Sequence, residues 1–74
     1  MTDTDLDDLI LDMLSHDHVV VALLRTRIAL RIGAMATPKA PAVTGRLRAL
    51  EVRGLVRCHP HPCSDRLPCR WSRV

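Results

Sequence analysis

The sequence predicts a small, mainly α-helical domain that ends in a β-hairpin. Apolar residues recur at three- and four-residue steps up to about residue 53, as they do on amphipathic helices. Residues 55–74 instead contain short alternating segments around a proline-rich loop. The chain has 74 residues and is 47% hydrophobic, which suits one folded domain and leaves too little apolar surface for two. We therefore expect a single domain over residues 1–74.

Three helices are predicted from the apolar periodicity. They cover about residues 5–14, 18–32 and 38–53. The third helix should turn Val43, Leu47 and Leu50 toward the core, and Leu55 and Val56 should extend the core beyond its end. Strands are expected at 55–59 and 69–74, and together they would form the hairpin, in a wing of two or three strands.

The helix boundaries are predicted from residues that cap helices. A Thr or Asp at the start accepts free backbone N–H groups, and a Gly ends a helix because it adopts left-handed backbone angles. The expected starts are Thr4 with Asp7, Asp17, and Thr37 followed by Pro38. The expected ends of the second and third helices are Gly33 and Gly54. The valine run at 19–21 also favours a short strand, which is the competing interpretation.

Charge is divided unevenly along the chain. Residues 1–24 contain six Asp and no Lys or Arg, whereas residues 25–74 contain all 11 basic residues against Glu51 and Asp65, a local net charge of +9. Such a division predicts one face for a polyanion, with the acidic end turned away from it. No apolar stretch approaches the roughly 20 residues that span a bilayer, and the acidic N-terminus is unlike a signal peptide. We expect a cytoplasmic protein with no membrane partner.

The stretch IALRIGAMATPKAPAVTGRLRALEVRGLVR, residues 28–57, resembles the core of the winged helix-turn-helix DNA-binding family. It has a helix that ends near a Gly, a short turn, and a helix that reads Val-Thr-x-x-Leu-x-x-Leu-Glu and closes on Gly-Leu-Val. The terminal RWSRV resembles the last strand of the wing. The resemblance implies a small sequence-specific DNA-binding protein, a transcriptional regulator, with the third helix in the major groove and the wing on the backbone or minor groove.

The resemblance also implies which residues contact DNA. In the family the N-terminal half of the third helix reads the bases, and the matching residues here are Lys39, Thr44, Arg46 and Arg48. Arg53 and Arg57 are expected to meet phosphates, and Arg66 to reach the minor groove from the wing tip, flanked by Arg70 and Arg73. The expected partner is double-stranded DNA, bound by a homodimer over two half-sites. Affinity should fall steeply with salt.

The segment CHPHPCSDRLPC, residues 58–69, contains residue types that bind zinc. The metal candidates are Cys58, His61, Cys63 and Cys69, with His59 beside them. Because no Cys-x-x-Cys pair is present, we expect no metal and no cofactor, with Cys58 and Cys69 on the paired strands of a hairpin. A disulfide between these two is one alternative, and a zinc-stabilised wing is another. His16 and His18 flank Asp17 and are expected in a solvated turn, with a pH or metal role as the alternative.

Catalytic motifs are missing from the sequence. It has no Gly-rich phosphate loop and no nucleophile elbow, and so short a chain offers no deep cleft, so we expect a protein that is not an enzyme. The alternative to DNA binding is a winged-helix protein-interaction module, encoded by a phage or mobile element, that docks on a host protein. It would use either the basic face or the acidic first helix.

Overall fold

A computed structural model describes residues 2–14, 17–63 and 66–74. The helices are α1 (Asp3–Met13), α2 (Val21–Ile32) and α3 (Ala40–Val52), and the strands are β1 (Val19–Val20), β2 (Val56–His59) and β3 (Arg70–Arg73). A 3-10 turn, Ala34–Ala36, joins α2 to α3. The predicted class, mainly helical with a hairpin, is confirmed. The valine run forms a strand before α2 begins, as its competing interpretation predicted.

The three strands form one antiparallel sheet with β3 in the centre, in the order β1-β3-β2. Trp71 of β3 lies opposite Val19 of β1 on one side and Cys58 of β2 on the other. The hairpin predicted from the sequence is therefore widened by a third strand, which comes from the segment between α1 and α2.

A single core joins the sheet to all three helices. Its members are Leu6, Ile10, Leu14, Val19, Leu24, Ile28, Val43, Leu47, Leu50, Val56 and Trp71. The prediction that Leu55 belongs to this core is wrong, because its side chain is 37% exposed. Leu55 adjoins Val56, and neighbouring side chains of an extended segment point to opposite sides. Within the described ranges, no helix has the length and apolar character needed to cross a bilayer.

The first helix begins earlier than predicted. Thr2 is its N-cap: the Thr2 hydroxyl accepts from the Asp5 N–H at 3.1 Å, and the Asp5 carboxylate accepts from the Thr2 N–H at 3.2 Å. This reciprocal capping box satisfies two backbone donors, so Thr4 lies inside the helix. Asp17 does not cap α2 either. That helix starts after Val20, which has no side-chain cap, because residues 19–20 first pair with β3.

The start of α3 also differs from the prediction. Thr37 does not cap it, since the Thr37 hydroxyl donates to the Gly33 carbonyl at 2.8 Å. Lys39 occupies the N-cap position without a side-chain hydrogen bond, and Pro41 rather than Pro38 lies in the first turn. Pro41 is tolerated because the first N–H groups of a helix have no intrahelical acceptor.

Both predicted helix ends are confirmed. Gly33 and Gly54 have φ of 91° and 76°, which side-chain-bearing residues rarely adopt. After α3, the Gly54 N–H donates to the Glu51 carbonyl at 2.9 Å and the Leu55 N–H donates to the Leu50 carbonyl at 3.0 Å. These two bonds satisfy the carbonyls of Leu50 and Glu51 and turn the chain directly into β2.

Replacement of Gly54 and of Gly45 by alanine should have opposite effects on the stability of the protein. Gly54→Ala should lower the free energy of unfolding by about 1–2 kcal/mol, because its φ is positive. Gly45→Ala should raise it by about 0.5–1 kcal/mol, because Gly45 is inside α3 with no heavy atom within 4 Å of an added Cβ. Urea unfolding of both variants checks the prediction. Equal effects on the two would contradict it.

Candidate functional site

The two central arginines of α3 lie on opposite sides of that helix. Residues two apart are separated by about 200° around a helix. Arg46 points toward α1, where its partners are Asp3 and Asp7. Arg48 instead lies over the ring of Trp71 in β3, with its guanidinium carbon 5.1 Å from the ring centroid. Arg46 and Arg48, which are two residues apart in the sequence, therefore have different neighbours in the folded protein.

Arg46 forms a bidentate ion pair with Asp7. Its Nε donates to Oδ1 of Asp7 at 2.8 Å and its Nη2 to Oδ2 at 2.7 Å, and Asp3 lies 3.7 Å from Nη1. The Arg46 side chain is only 28% exposed. The hydrogen bonds from Arg46 lower the pKa of Asp7, although burial of this carboxyl opposes the shift. The Arg46 guanidinium therefore joins α1 to α3, and the predicted contact of Arg46 with bases would have to replace this ion pair.

Arg48 keeps more of its surface open to solvent. Its side chain is 56% exposed and makes a 3.4 Å contact with Glu51, one turn along α3. The hydrogen bond to Glu51 raises the pKa of Arg48. An exposed pair of this kind is weak, and a phosphate can replace the carboxylate as acceptor. Of Arg46 and Arg48, Arg48 therefore has the side chain that a ligand can reach more easily.

The outward side of α3 is neutral rather than cationic. Opposite the buried Val43 and Leu47 lie Pro41, Gly45 and Val52, all exposed, with Val52 88% exposed. The positions facing away from a helix core are set by where its apolar stripe lies. Here the stripe places Arg46 and Arg48 at the two flanks, so the outward side of α3 is neutral and has a cation at each edge.

The remaining predicted residues of α3 and the loop lie at its ends and flanks. Lys39 is exposed at the start of the helix and Thr44 is half-buried in its first half. Arg53 is exposed at the end, on the side of Asp7, whose pKa its charge helps to lower. Arg66 is exposed in the loop between β2 and β3. Within the described residues, no ion pair or hydrogen bond involves the side chains of Lys39 and Arg53.

Arg57 and Arg70 do not share the surface of α3. They lie in β2 and β3, on the face of the sheet opposite to the one that carries Trp71. Arg73 is exposed at the end of β3, directly opposite Val56. The predicted DNA-binding residues are thus divided between two surfaces, one on α3 and one on the outer sheet.

The cysteines and histidines of the loop do not converge on one point. Cys58, Cys63 and Cys69 are free thiols, and burial, together with Cys69, raises the pKa of Cys58 against the opposing charge of Arg48. His61 accepts from the backbone N–H of Cys63 at 3.1 Å. In the part of the chain that the structure describes, no three His, Cys, Asp or Glu side chains come together as a metal site. His16 lies outside the described residues.

Sequence reasoning missed one group of residues on the outer sheet. His18 and His59 stack on each other, and His59 contacts Ser72. Ser72 belongs to no motif that would have marked it in the sequence. If the valine run had been predicted as a strand, the alternation of side chains along all three strands would have placed His18, His59 and Ser72 on one face of the sheet.

Comparison with known proteins identifies no relative of this chain. No family model, no curated protein and no solved structure matches it. Function must therefore be inferred from the charges and contacts of the chain itself.

Asp7→Asn should destabilise the fold by leaving Arg46 beside a neutral amide. We expect the melting temperature to fall by about 5–10 °C near neutral pH, whereas the exposed Asp8→Asn should change it little. The folded pKa of Asp7 lies below its ordinary value of 3.8, so the pair stabilises above about pH 4 and its contribution is lost as pH falls further. Thermal unfolding followed by circular dichroism should show the wild type and Asp7→Asn converging at low pH. A constant difference down to about pH 2 would contradict this account.

Proposed function

We propose that the chain binds double-stranded DNA as a winged helix-turn-helix protein. The surface consists of Lys39, Thr44 and Arg48 of α3 and Arg66 of the β2–β3 loop. The element order supports this layout: α2, a short turn and α3 are followed at once by the β2–β3 hairpin, and Arg48 lies against the hairpin strand β3. Helix-turn-helix proteins lay the second helix of this unit along the major groove.

The separation of charge is the observation that carries the proposal. Residues 39–74 contain eight basic and two acidic residues, a net charge of +6. The carboxylates of Asp3 and Asp7 are held by Arg46 on the side of α3 away from Arg48, and Asp12 is held by Arg31 at 3.0 Å. The acidic helix therefore does not neutralise the hairpin side of α3. A surface of this kind attracts the phosphate backbone.

Phosphate contacts should dominate the affinity of this surface. The outward side of α3 presents Pro41, Gly45 and Val52, which offer no side-chain donors to base edges. Sequence preference must then come from Thr44 and Arg48 and from the shape of the groove. A second copy of the chain would add contacts, since one module of this size buries limited surface on DNA. Leu23, half-exposed on α2, is available to such a dimer.

Removing a cation from this surface should weaken DNA binding more than removing one elsewhere. Lys39→Ala and Arg48→Ala should each lower affinity for a duplex about three- to tenfold at low salt and reduce the log–log salt slope by about 1. Arg31→Ala is the matched control, because it removes the same charge from α2, where Asp12 already pairs with it. Fluorescence anisotropy across a salt series measures all three.

Two outcomes of this experiment would contradict the proposal. One is the absence of any duplex binding by the wild type at low salt. The other is an equal loss for Arg31→Ala and Lys39→Ala, which would mean that only net charge matters. Arg46→Ala should act differently from these variants, lowering the melting temperature rather than the affinity of the folded protein, because its partner is Asp7.

A protein-interaction module is the second candidate. The observation that favours it is the exposed apolar surface: Val52 on α3, Leu30 on α2 and Met35 in the turn are each more than four-fifths exposed. Exposed apolar side chains of this size commonly mark contacts with other proteins. A stoichiometric, nuclease-resistant complex with an identified protein, lost in Val52→Asp and kept in Lys39→Ala, would favour this candidate over DNA binding.

A further inference from the structure

The two faces of the sheet carry different side chains. Val56 and Trp71 lie on the inner face, in the core. Because successive side chains of a strand point to opposite faces, the outer face is formed by the residues between them. These are Val20 of β1, Arg57 and His59 of β2, and Arg70 and Ser72 of β3.

Two histidines meet on this outer face. The imidazole of His18, just before β1, stacks on that of His59 with ring centroids 3.9 Å apart and planes 16° from parallel. Nε2 of His59 lies 2.7 Å from the Ser72 hydroxyl, and Ser72 is only 5% exposed although it faces away from the core. The two rings and the hydroxyl therefore form one polar group rather than three separate surface residues.

Two arginines flank the histidine pair. Arg70 lies directly opposite His59 across the β2–β3 ladder, and Arg57 precedes His59 by two residues on β2. Burial lowers the pKa of His59, and the charges of His18, Arg57 and Arg70 lower it further. Four basic side chains thus face one another closely enough to oppose protonation.

The three strands that form this face contain no Asp or Glu, so none of their side chains supplies a carboxylate to the cluster. Nε of Arg70 is buried and has no hydrogen-bond partner among the described residues. Buried donors are almost always paired in folded proteins. The cluster is therefore built to receive an anionic acceptor.

We propose that His18, His59, Arg57 and Arg70 form a binding site for a phosphate group on the outer face of the sheet, separate from the surface of α3. Guanidinium groups match phosphate because their parallel N–H groups donate to two oxygens at once. An imidazolium N–H adds a further charged donor. The phosphate is carried either by a small molecule or by a nucleic acid backbone, which present the same oxygens to the protein.

Binding at this site should draw a proton onto His59. Without an anion, Arg57, Arg70 and the His18 ring oppose protonation of His59, and a bound phosphate offsets their charge. A bound anion should therefore raise the pKa of His59 toward its ordinary value of 6.5. By linkage, an anion whose own charge is constant between about pH 6 and about pH 7.5, such as sulfate, should bind more tightly at the lower pH.

Nuclear magnetic resonance of the imidazole groups tests the site on the full chain. Inorganic phosphate is titrated against chloride at constant ionic strength at about pH 7.5, where it is mainly a dianion. Sulfate, a tetrahedral dianion that keeps its charge in this range, is titrated in the same way at about pH 6 and about pH 7.5. The resonances of His18 and His59 should shift together and saturate with both anions, with the affinity for sulfate at least about threefold higher at the lower pH. His61, in the loop, serves as the internal control.

Three variants of equal charge change test which arginines take part. Arg57→Gln and Arg70→Gln should each weaken phosphate binding about tenfold, because each removes a charged donor. Arg73→Gln, on β3 but opposite Val56, should leave binding unchanged. Arg70 is half-buried, so its substitution could disturb the sheet, and the exposed Arg57 supplies the independent test. Backbone amide spectra show whether each variant is folded.

A short DNA duplex is the second probe and separates the two sources of phosphate. If the duplex but not inorganic phosphate shifts His59, and Arg57→Gln weakens that effect, the site belongs to the nucleic acid backbone. Lys39→Ala should leave binding of inorganic phosphate unchanged. The phosphate site on the sheet can therefore be tested independently of the proposed DNA-binding surface on α3. The proposal is overturned if neither probe shifts His18 and His59, or if Arg57→Gln and Arg73→Gln weaken binding equally.

Discussion

Burial of Trp71 on the central strand is the constraint on which both surfaces of this protein depend. The chain has no Phe or Tyr, and this indole, 2% exposed, is the largest side chain in its core. The face of the sheet that carries it must therefore meet the helices, because leaving so much apolar area in water is costly. Alternation along β3 then turns Arg70 and Ser72 outward. The same ring provides the surface over which Arg48 lies.

The ion pair between Asp7 and Arg46 determines on which side of α3 the acidic first helix lies. It draws the acidic first helix onto one flank of α3 and keeps its buried carboxylate ionised. A bidentate pair also orients both side chains, which a single contact between flexible groups does not. This ion pair therefore joins two helices and also holds Asp3 and Asp7 away from Arg48, whose own acidic neighbour is Glu51.

The two proposed surfaces share a chemistry but respond to solution conditions differently. On α3, Lys39 and Arg48 carry charge at every pH near neutral, so salt concentration is their main control. On the outer sheet, the charge of His59 depends on pH, and burial together with the neighbouring positive charges lowers its pKa. A phosphate-bearing ligand would therefore meet a constant surface on one side of the sheet and a pH-dependent one on the other.

Elements whose causes are local could be predicted from the amino-acid sequence. Val43, Leu47 and Leu50 were predicted as core because helical periodicity is contained within one segment, and Gly54 as a helix end because its backbone angle is a property of one residue. The pairing of Arg46 with Asp7 could not be predicted in this way, because the two residues are 39 positions apart and are brought together only by the packing of α1 on α3. The stacking of His18 on His59 has the same origin: pairing of both outer strands with β3 brings together rings that the sequence keeps far apart.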